Sequence, residues 1–250
     1  FERNPQRAVE RQPVSPSNFA QWETQNQVFE GLGFWRGDEP VNLVTPEGTE
    51  RVQGSYVSSA LFTLLGAKPL LGRLTLPEED RLRGPIAVVL SHELWQSRFA
   101  ADAKVLGRTL TVDRHGSASY TIVGVLAPGF RFPGQTELWM SWSGLSLNRI
   151  GATGLNVLAR LKPGVTLERA RAEMGTIQAR VAAESPDRLS SSDVDVVPLL
   201  EQMVGRNMKV ALLVLWGVVA GVLLIACANV ANLLLARAAG RQKEIALRFV

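Results

Sequence analysis

Residues 210–236, VALLVLWGVVAGVLLIACANVANLLLA, carry no Asp, Glu, Lys, Arg or His over about 27 positions. About 20 apolar residues suffice to cross a hydrocarbon core, so this run reads as one transmembrane helix. Lys209 and Arg237 stand at its ends, where long stems can lie along apolar surface while the charges reach water. The competing reading is a buried helix of a large soluble domain, but such helices are shorter and seldom apolar on every face. A cleaved signal peptide is excluded by position, because the run sits near the end of the chain.

Charge assigns the two sides. Arg237, Arg241, Lys243 and Arg248 follow the span, against one Glu244, whereas only Arg206 and Lys209 precede it closely. Basic residues collect on the cytoplasmic side, so the tail is expected inside and the first two hundred residues outside. The one cysteine, Cys227, lies within the span, and a cysteine-free outer part suits an oxidising compartment without implying a disulfide framework. The net charge of +4 does not point to nucleic acid, because the basic residues are dispersed and form no stripe interleaved with aromatics. The chain begins with Phe1 rather than Met, the mark of a fragment or processed chain, and a lone span predicts further spans before Phe1 and after Val250.

The outer part reads as α+β. Residues 1–16 are polar and Pro-dotted, an entry segment ending where Ser15 caps a helix with Pro16 at its first position. Phe19, Trp22 and Phe29 give that helix an apolar side, and a Gly-rich turn is expected over Gly31–Gly37. Val41–Val44 and Glu50–Val57 are strands about a turn at Pro46-Glu-Gly48. Ser58 is expected to cap a helix over SALFTLLG that Gly66 ends. The stretch KPLLGRLTLPEEDRLRGP is loop-like, and its Glu78, Glu79 and Asp80 suit a helix first turn better than a metal or acid–base site. Ile86–Leu90 is a buried strand, Ser91 caps the helix after it, and Arg108–Asp113 with Ser119–Leu126 makes a hairpin. Leu138–Trp142 is a short apolar strand. Leu155–Leu161, a helix capped by Thr166 with Leu167, Ala170, Met174, Ile177 and Val181 on one face, and Asp193–Leu199 read as a βαβ-type or split βαβ unit. Leu200–Lys209 is expected to run as a helix into the membrane.

No arrangement of catalytic residues emerges. His92 lies between Ser91 and Glu93, but neighbours on a starting helix do not face one another, and His115 falls in a hairpin turn. No Cys/His spacing suits zinc and no GxxxxGK[ST] phosphate loop is present. Within the span, Gly217-xxx-Gly221 is either a helix–helix contact or ordinary membrane glycines. Asn229 and Asn232 want partners in lipid, so they should face another helix or the interface. The tail RAAGRQKEIALRFV mixes Ile245, Leu247, Phe249 and Val250 with Arg241, Lys243, Glu244 and Arg248. It reads either as a basic amphipathic anchor or as a surface that docks a cytoplasmic partner.

The string IACANVANLLLARAAGRQKEIALR resembles the second transmembrane helix and following cytoplasmic segment of MacB/FtsX-type ABC transporter permeases. SNFAQWETQNQVFEGL, RVQGSYVSSALFTLLGAKPLLGR, VVLSHELWQSRFAADAKVLGRTLTVD, YTIVGVLAPGFRFP and LARLKPGVTLERARAEM resemble the MacB-like periplasmic core domain, in the flavour of duplicated acidobacterial permeases encoded without an adjacent ATPase. The resemblance implies a two-lobed α+β periplasmic domain over about residues 1–205, with an inserted lobe near 60–150. A membrane helix over 206–236 and a cytoplasmic coupling segment over 237–250 would follow, in a bacterial inner membrane. It implies no cofactor in this chain, with ATP used by a separate ABC ATPase subunit that meets Arg241, Glu244, Ile245 and Arg248. It further implies a homodimer or paired permease halves, and a periplasmic adaptor. The permease would act as a mechanical transmitter, for which Leu200–Ala236, free of Pro, is a stiff connection. The alternative is a periplasmic ligand-binding or sensor module on a single anchor, and an extracytoplasmic enzyme lacks a catalytic set.

Overall fold

The computed structural model describes residues 1–4, 9–45, 48–81, 83–113, 117–144, 154–184, 193–202, 213–231 and 234. The chain divides into two compact units, Phe1–Val196 and Val197–Val250.

The first unit is built on strands β1 (Glu2–Asn4), β2 (Val9–Gln12), β3 (Phe29–Thr45), β4 (Gly48–Val57), β5 (Pro69–Gly72), β6 (Ala87–Leu90), β7 (Thr109–Asp113), β8 (Ser117–Leu126), β9 (Leu138–Ser141), β10 (Asn156–Leu161) and β11 (Asp193–Val194). Its helices are α1 (Pro16–Gln25), α2 (Ser59–Leu65), α3 (His92–Phe99) and α4 (Leu167–Glu184). A three-stranded sheet of order β11-β1-β2 joins the two ends of the unit, and an eight-stranded sheet runs β10-β3-β4-β9-β6-β8-β5, with β7 pairing both β3 and β8.

The large sheet is organised around β6 and β9, every residue of which is buried. Their pairing alternates side chains between two cores. Val88, Leu90, Leu138 and Met140 join one cluster with the apolar faces of α1, α3 and α4. Val89 and Trp139 join the other with Leu61 and Phe62 of α2. A sheet covered on both faces must read as a continuous apolar run, which is how Ile86–Leu90 announces itself. The parallel strand pairs lie here. β6 and β8 are parallel neighbours linked through α3, and β4 is parallel to β9.

Capping chemistry follows the sequence at three helices. Ser15 Oγ accepts from Asn18 N (3.2 Å), Ser91 Oγ from Leu94 N (3.0 Å) and Thr166 Oγ1 from Arg169 N (3.3 Å). Ala170, Met174, Ile177 and Val181 are buried along α4, where Gln178 Oε1 accepts from Trp22 Nε1 of α1 at 2.9 Å.

Five expectations need correction. The entry segment forms β1 and β2, and the buried Glu2 accepts from Ser15 N (2.8 Å) and Asn18 Nδ2 (2.7 Å), placing a carboxylate at the start of α1. Gly31–Gly37 is not a turn but part of β3. A Cβ on Gly33 would stand 2.7 Å from the Leu61 backbone, so this glycine lets α2 lie directly on the strand. Gly37, at φ 81°, sits at a register shift between Arg36 and Glu39 that divides β3 into two paired halves. Pro69–Gly72, expected as loop, is an edge strand. Asp193–Leu199 shrinks to the two residues of β11, which pairs with β1. β10 and β11 thus lie in different sheets, and the βαβ reading of 155–199 does not hold there, because α4 connects two sheets rather than one parallel pair. The fifth is Ser58, whose side chain makes no capping hydrogen bond to α2.

In the second unit, residues 199–202 are helical, and Leu213–Ala231 forms a helix we label α5. α5 has a mean hydropathy of 2.4 and is long and apolar enough to cross a membrane. Residues 203–209, expected to continue the helix inward, lie outside the described residues.

Gly33→Ala should lower the stability of the first unit by about 1–3 kcal/mol, the usual cost of overpacking a filled site. Gly31→Ala, whose Cβ would meet only Leu64 Cδ2 at 3.6 Å, should leave it nearly unchanged. Urea unfolding of the chain in a non-ionic detergent, followed by tryptophan fluorescence, measures both.

Candidate functional site

The residues singled out in the membrane segment fall unevenly. Gly217, Gly221 and Asn229 lie on α5. A Cβ at either glycine would meet nothing within 4 Å, so the groove they form is open. Asn232 and the coupling residues Arg241, Glu244, Ile245 and Arg248 lie outside the described residues, as does His115. Ser91 spends its hydroxyl on capping α3, Glu93 pairs with Arg131 Nη2 at 3.3 Å, and the His92 ring lies 5.7 Å from that of Trp95. The three neighbours therefore point to separate partners. Among the described residues, no group of three His, Cys, Asp or Glu side chains is placed to hold a metal ion.

A different site emerges in the first unit, where α1 passes the start of α2. Four aromatic and aliphatic side chains make its floor. Phe19 meets Phe34 edge-on at 4.9 Å, Phe34 meets Trp142 edge-on at 5.0 Å, and Leu155 lies beside them. Pro16, Ala20 and Glu23 of α1 line it too, as do Ser58, Ser59 and Ala60 at the start of α2. Pro77, Asp80 and Arg81 close the end. The cleft encloses about 440 Å³, within the range of small-molecule sites.

The acidic run Glu78-Glu79-Asp80 sets the shape of this end. Pro77–Asp80 is a single 3-10 turn. Glu79 is buried and takes Arg73 in a two-pronged pair, at 2.7 and 3.1 Å, while accepting from Leu76 N at 2.8 Å. Asp80 turns the other way and accepts from Ser59 N at 2.9 and 3.0 Å and from Ser59 Oγ at 2.7 Å. The expectation that Ser58 caps α2 is therefore corrected. Ser58 Oγ instead accepts from Phe34 N (2.9 Å), and the cap comes from a carboxylate 21 residues further on. The acidic run stands, as expected, in the first turn of a helix, its own short 3-10 turn, and Asp80 serves the start of α2 as well.

Burial pushes the Asp80 carboxyl up from its usual 3.8 to about 6, against the lowering effect of the Ser59 hydrogen bonds, and Glu23 and Glu79 add repulsion. Burial likewise raises Glu23. In the unfolded chain Asp80 returns to its ordinary value, so between about pH 4 and 6 the folded state holds the extra proton. That increment, up to about 3 kcal/mol for a shift of this size, is present below pH 4 and lost as pH rises through 6. Asp80→Asn keeps an acceptor for Ser59 and should remove this slope. Between pH 4.5 and 7.5 the urea midpoint of the native chain should fall relative to that of the variant, and parallel midpoints would overturn the account.

Sequence reasoning saw the acidic run but not its partner, and it missed Glu23 altogether. The pairing rests on a contact between segments that no local pattern links.

Comparison with known proteins bears on the first unit. Residues 7–177 match the family model described as the MacB-like periplasmic core domain. The fold is similar to the periplasmic region of MacB from Actinobacillus actinomycetemcomitans, with a TM-score of 0.55 at 16% identity over 73% of this chain and 82% of that one. It is also similar to the extracellular domain of the noncanonic ABC-type transporter YknZ from Gram-positive bacteria, with a TM-score of 0.53 at 11% identity over 73% of this chain and 90% of that one. No curated protein sequence matches the chain. A family match over more than half of the chain, on a unit with the corresponding fold, settles the kinship: the chain belongs to the MacB-like periplasmic core domain family.

Proposed function

We propose that this chain is a membrane subunit, of permease type, in an ABC-type efflux or mechanotransmission complex. The observation that carries the reading is the order of parts: a MacB-like periplasmic core domain over residues 7–177, then a helix, Leu213–Ala231, apolar enough to span a bilayer. The proposed division puts the periplasmic domain at about 1–205, with an inserted lobe near 60–150, the membrane helix at 206–236 and the coupling segment at 237–250. The charge bias supports a cytoplasmic tail and a periplasmic domain. A separate ATPase then supplies the energy, and the basic, amphipathic tail with Arg241, Glu244, Ile245 and Arg248 is its contact. Gly217 and Gly221 leave room for a second helix, supplied by a second copy or a paired half, and a periplasmic adaptor would meet the domain. The aromatic-floored cleft favours one other reading, a periplasmic ligand-binding or sensor module on a single anchor.

Truncation before Arg241 in the native full-length protein should abolish stimulation of the partner ATPase in proteoliposomes while leaving the near-UV circular dichroism of the domain unchanged. Unaltered stimulation would defeat the coupling role and favour the sensor reading. Gly217→Leu combined with Gly221→Leu should cut association of labelled chains in bilayers at least threefold by energy transfer, about the weight of a small-residue contact.

A further inference from the structure

The cleft beside α2 holds an imbalance that the permease reading does not use. Glu79 is neutralised by Arg73, yet the two carboxylates that face the cleft are not. Among the described residues, neither Glu23 nor Asp80 has a basic group within ion-pairing distance. The two are near enough that Glu23 acts electrostatically on Asp80. Arg81 also lines the cleft, but it is exposed and, among the described residues, forms no ion pair with either carboxylate. Ser59 gives Asp80 three hydrogen-bond contacts, and a carboxylate has acceptor capacity beyond these. Below the carboxylates lie the rings of Phe19, Phe34 and Trp142.

A pocket of these parts is complementary to one kind of molecule. A metal ion or a hydrated inorganic cation would leave the apolar floor wet. A neutral apolar ligand would bury both carboxylates further with nothing to offset them, at a high cost. An anion would meet like charge. A cation that carries apolar substituents offsets the carboxylates and covers the part of the apolar lining that the cleft leaves open. We propose that the cleft of Glu23 and Asp80 is a binding site for a small organic cation, an amine or quaternary ammonium with an aromatic or aliphatic substituent. The site goes beyond the permease assignment and stands whether or not an ATPase partner is engaged.

The test is isothermal titration calorimetry on the full chain in a non-ionic detergent, with benzyltrimethylammonium as the probe. Its fixed charge removes ligand titration from the result. Saturable binding is expected at pH 7.5, weakened about tenfold by Asp80→Asn and at least threefold by Glu23→Gln, the scale of losing one charge partner near a protein surface. Glu23 is exposed, so its variant reports on binding even if Asp80→Asn disturbs α2. Ala20→Trp, at an exposed lining position, should fill the cleft and abolish binding. Arg81→Gln should tighten it. Lowering the pH to 5 should weaken it in the native chain more than in Asp80→Asn. Absence of heat up to 10 mM probe, benzyl alcohol binding as well as the cation, or benzenesulfonate binding better would each overturn the proposal. Tighter binding of Nα-acetyl-lysine amide than of the aromatic cation would overturn it in favour of a basic peptide.

Discussion

The contact of α2 with the backbone of β3 at Gly33 fixes most of what makes the outer unit particular. With no side chain at Gly33, the helix settles within 2.7 Å of where a Cβ would be, and Leu61 and Phe62 reach Val89 and Trp139 beneath it. The start of the helix is then set, with Ser58 bound to the Phe34 backbone and the Ser59 amide turned toward Asp80. The turn that carries Asp80 is held in turn by Glu79 on Arg73. Most of these links join segments distant in sequence, and together they create a cleft whose carboxylates have no ion-pair partner among the described residues.

That chain of contacts explains which parts were legible in the sequence. Elements that answer to local chemistry could be read directly. The apolar run of β6, the caps at Ser15, Ser91 and Thr166, and the stripe on α4 each follow from side chains within a few positions of one another. Gly31–Gly37 shows the limit. Several glycines in a short span signal a turn when only the chain itself is considered, because glycine weakens a strand. Here one of them makes space for another element and one takes a positive φ at a bulge, and neither need is visible without the neighbour.

The same limit applies to charge. Three consecutive acids suggested the start of a helix, and a helix start is indeed what Asp80 serves. Sequence spacing could not show that the helix begins 21 residues earlier, nor that Glu79 and Asp80, adjacent in the chain, part company to different partners. β11 was over-read for a related reason. A run of Val and Asp alternates like a strand over Asp193–Leu199, but the pairing with β1, from the far end of the unit, covers only Asp193 and Val194 and ends at the backbone hydrogen bonds between Asp195 and Phe1.

The family and the cleft argue at different levels. Identity of 11–16% to the structures of similar fold means that few side chains are shared, so the fold carries over but a site must be judged on its own residues. The proposed transmitter role asks for a rigid outer unit, and the two-sided core around β6 and β9 suits that proposal. Nothing in such a role calls for the half-buried Asp80 and the exposed Glu23 to share an aromatic-lined cleft with no ion-pair partner among the described residues. Burying Asp80 without an ion-pair partner costs stability near neutral pH, and the charge of Glu23 adds to that cost. A cost placed at the mouth of a cleft, rather than spread over the surface, is the kind of departure from local optimum that a ligand can offset. The cleft is therefore better explained by what enters it than by the packing of the unit itself.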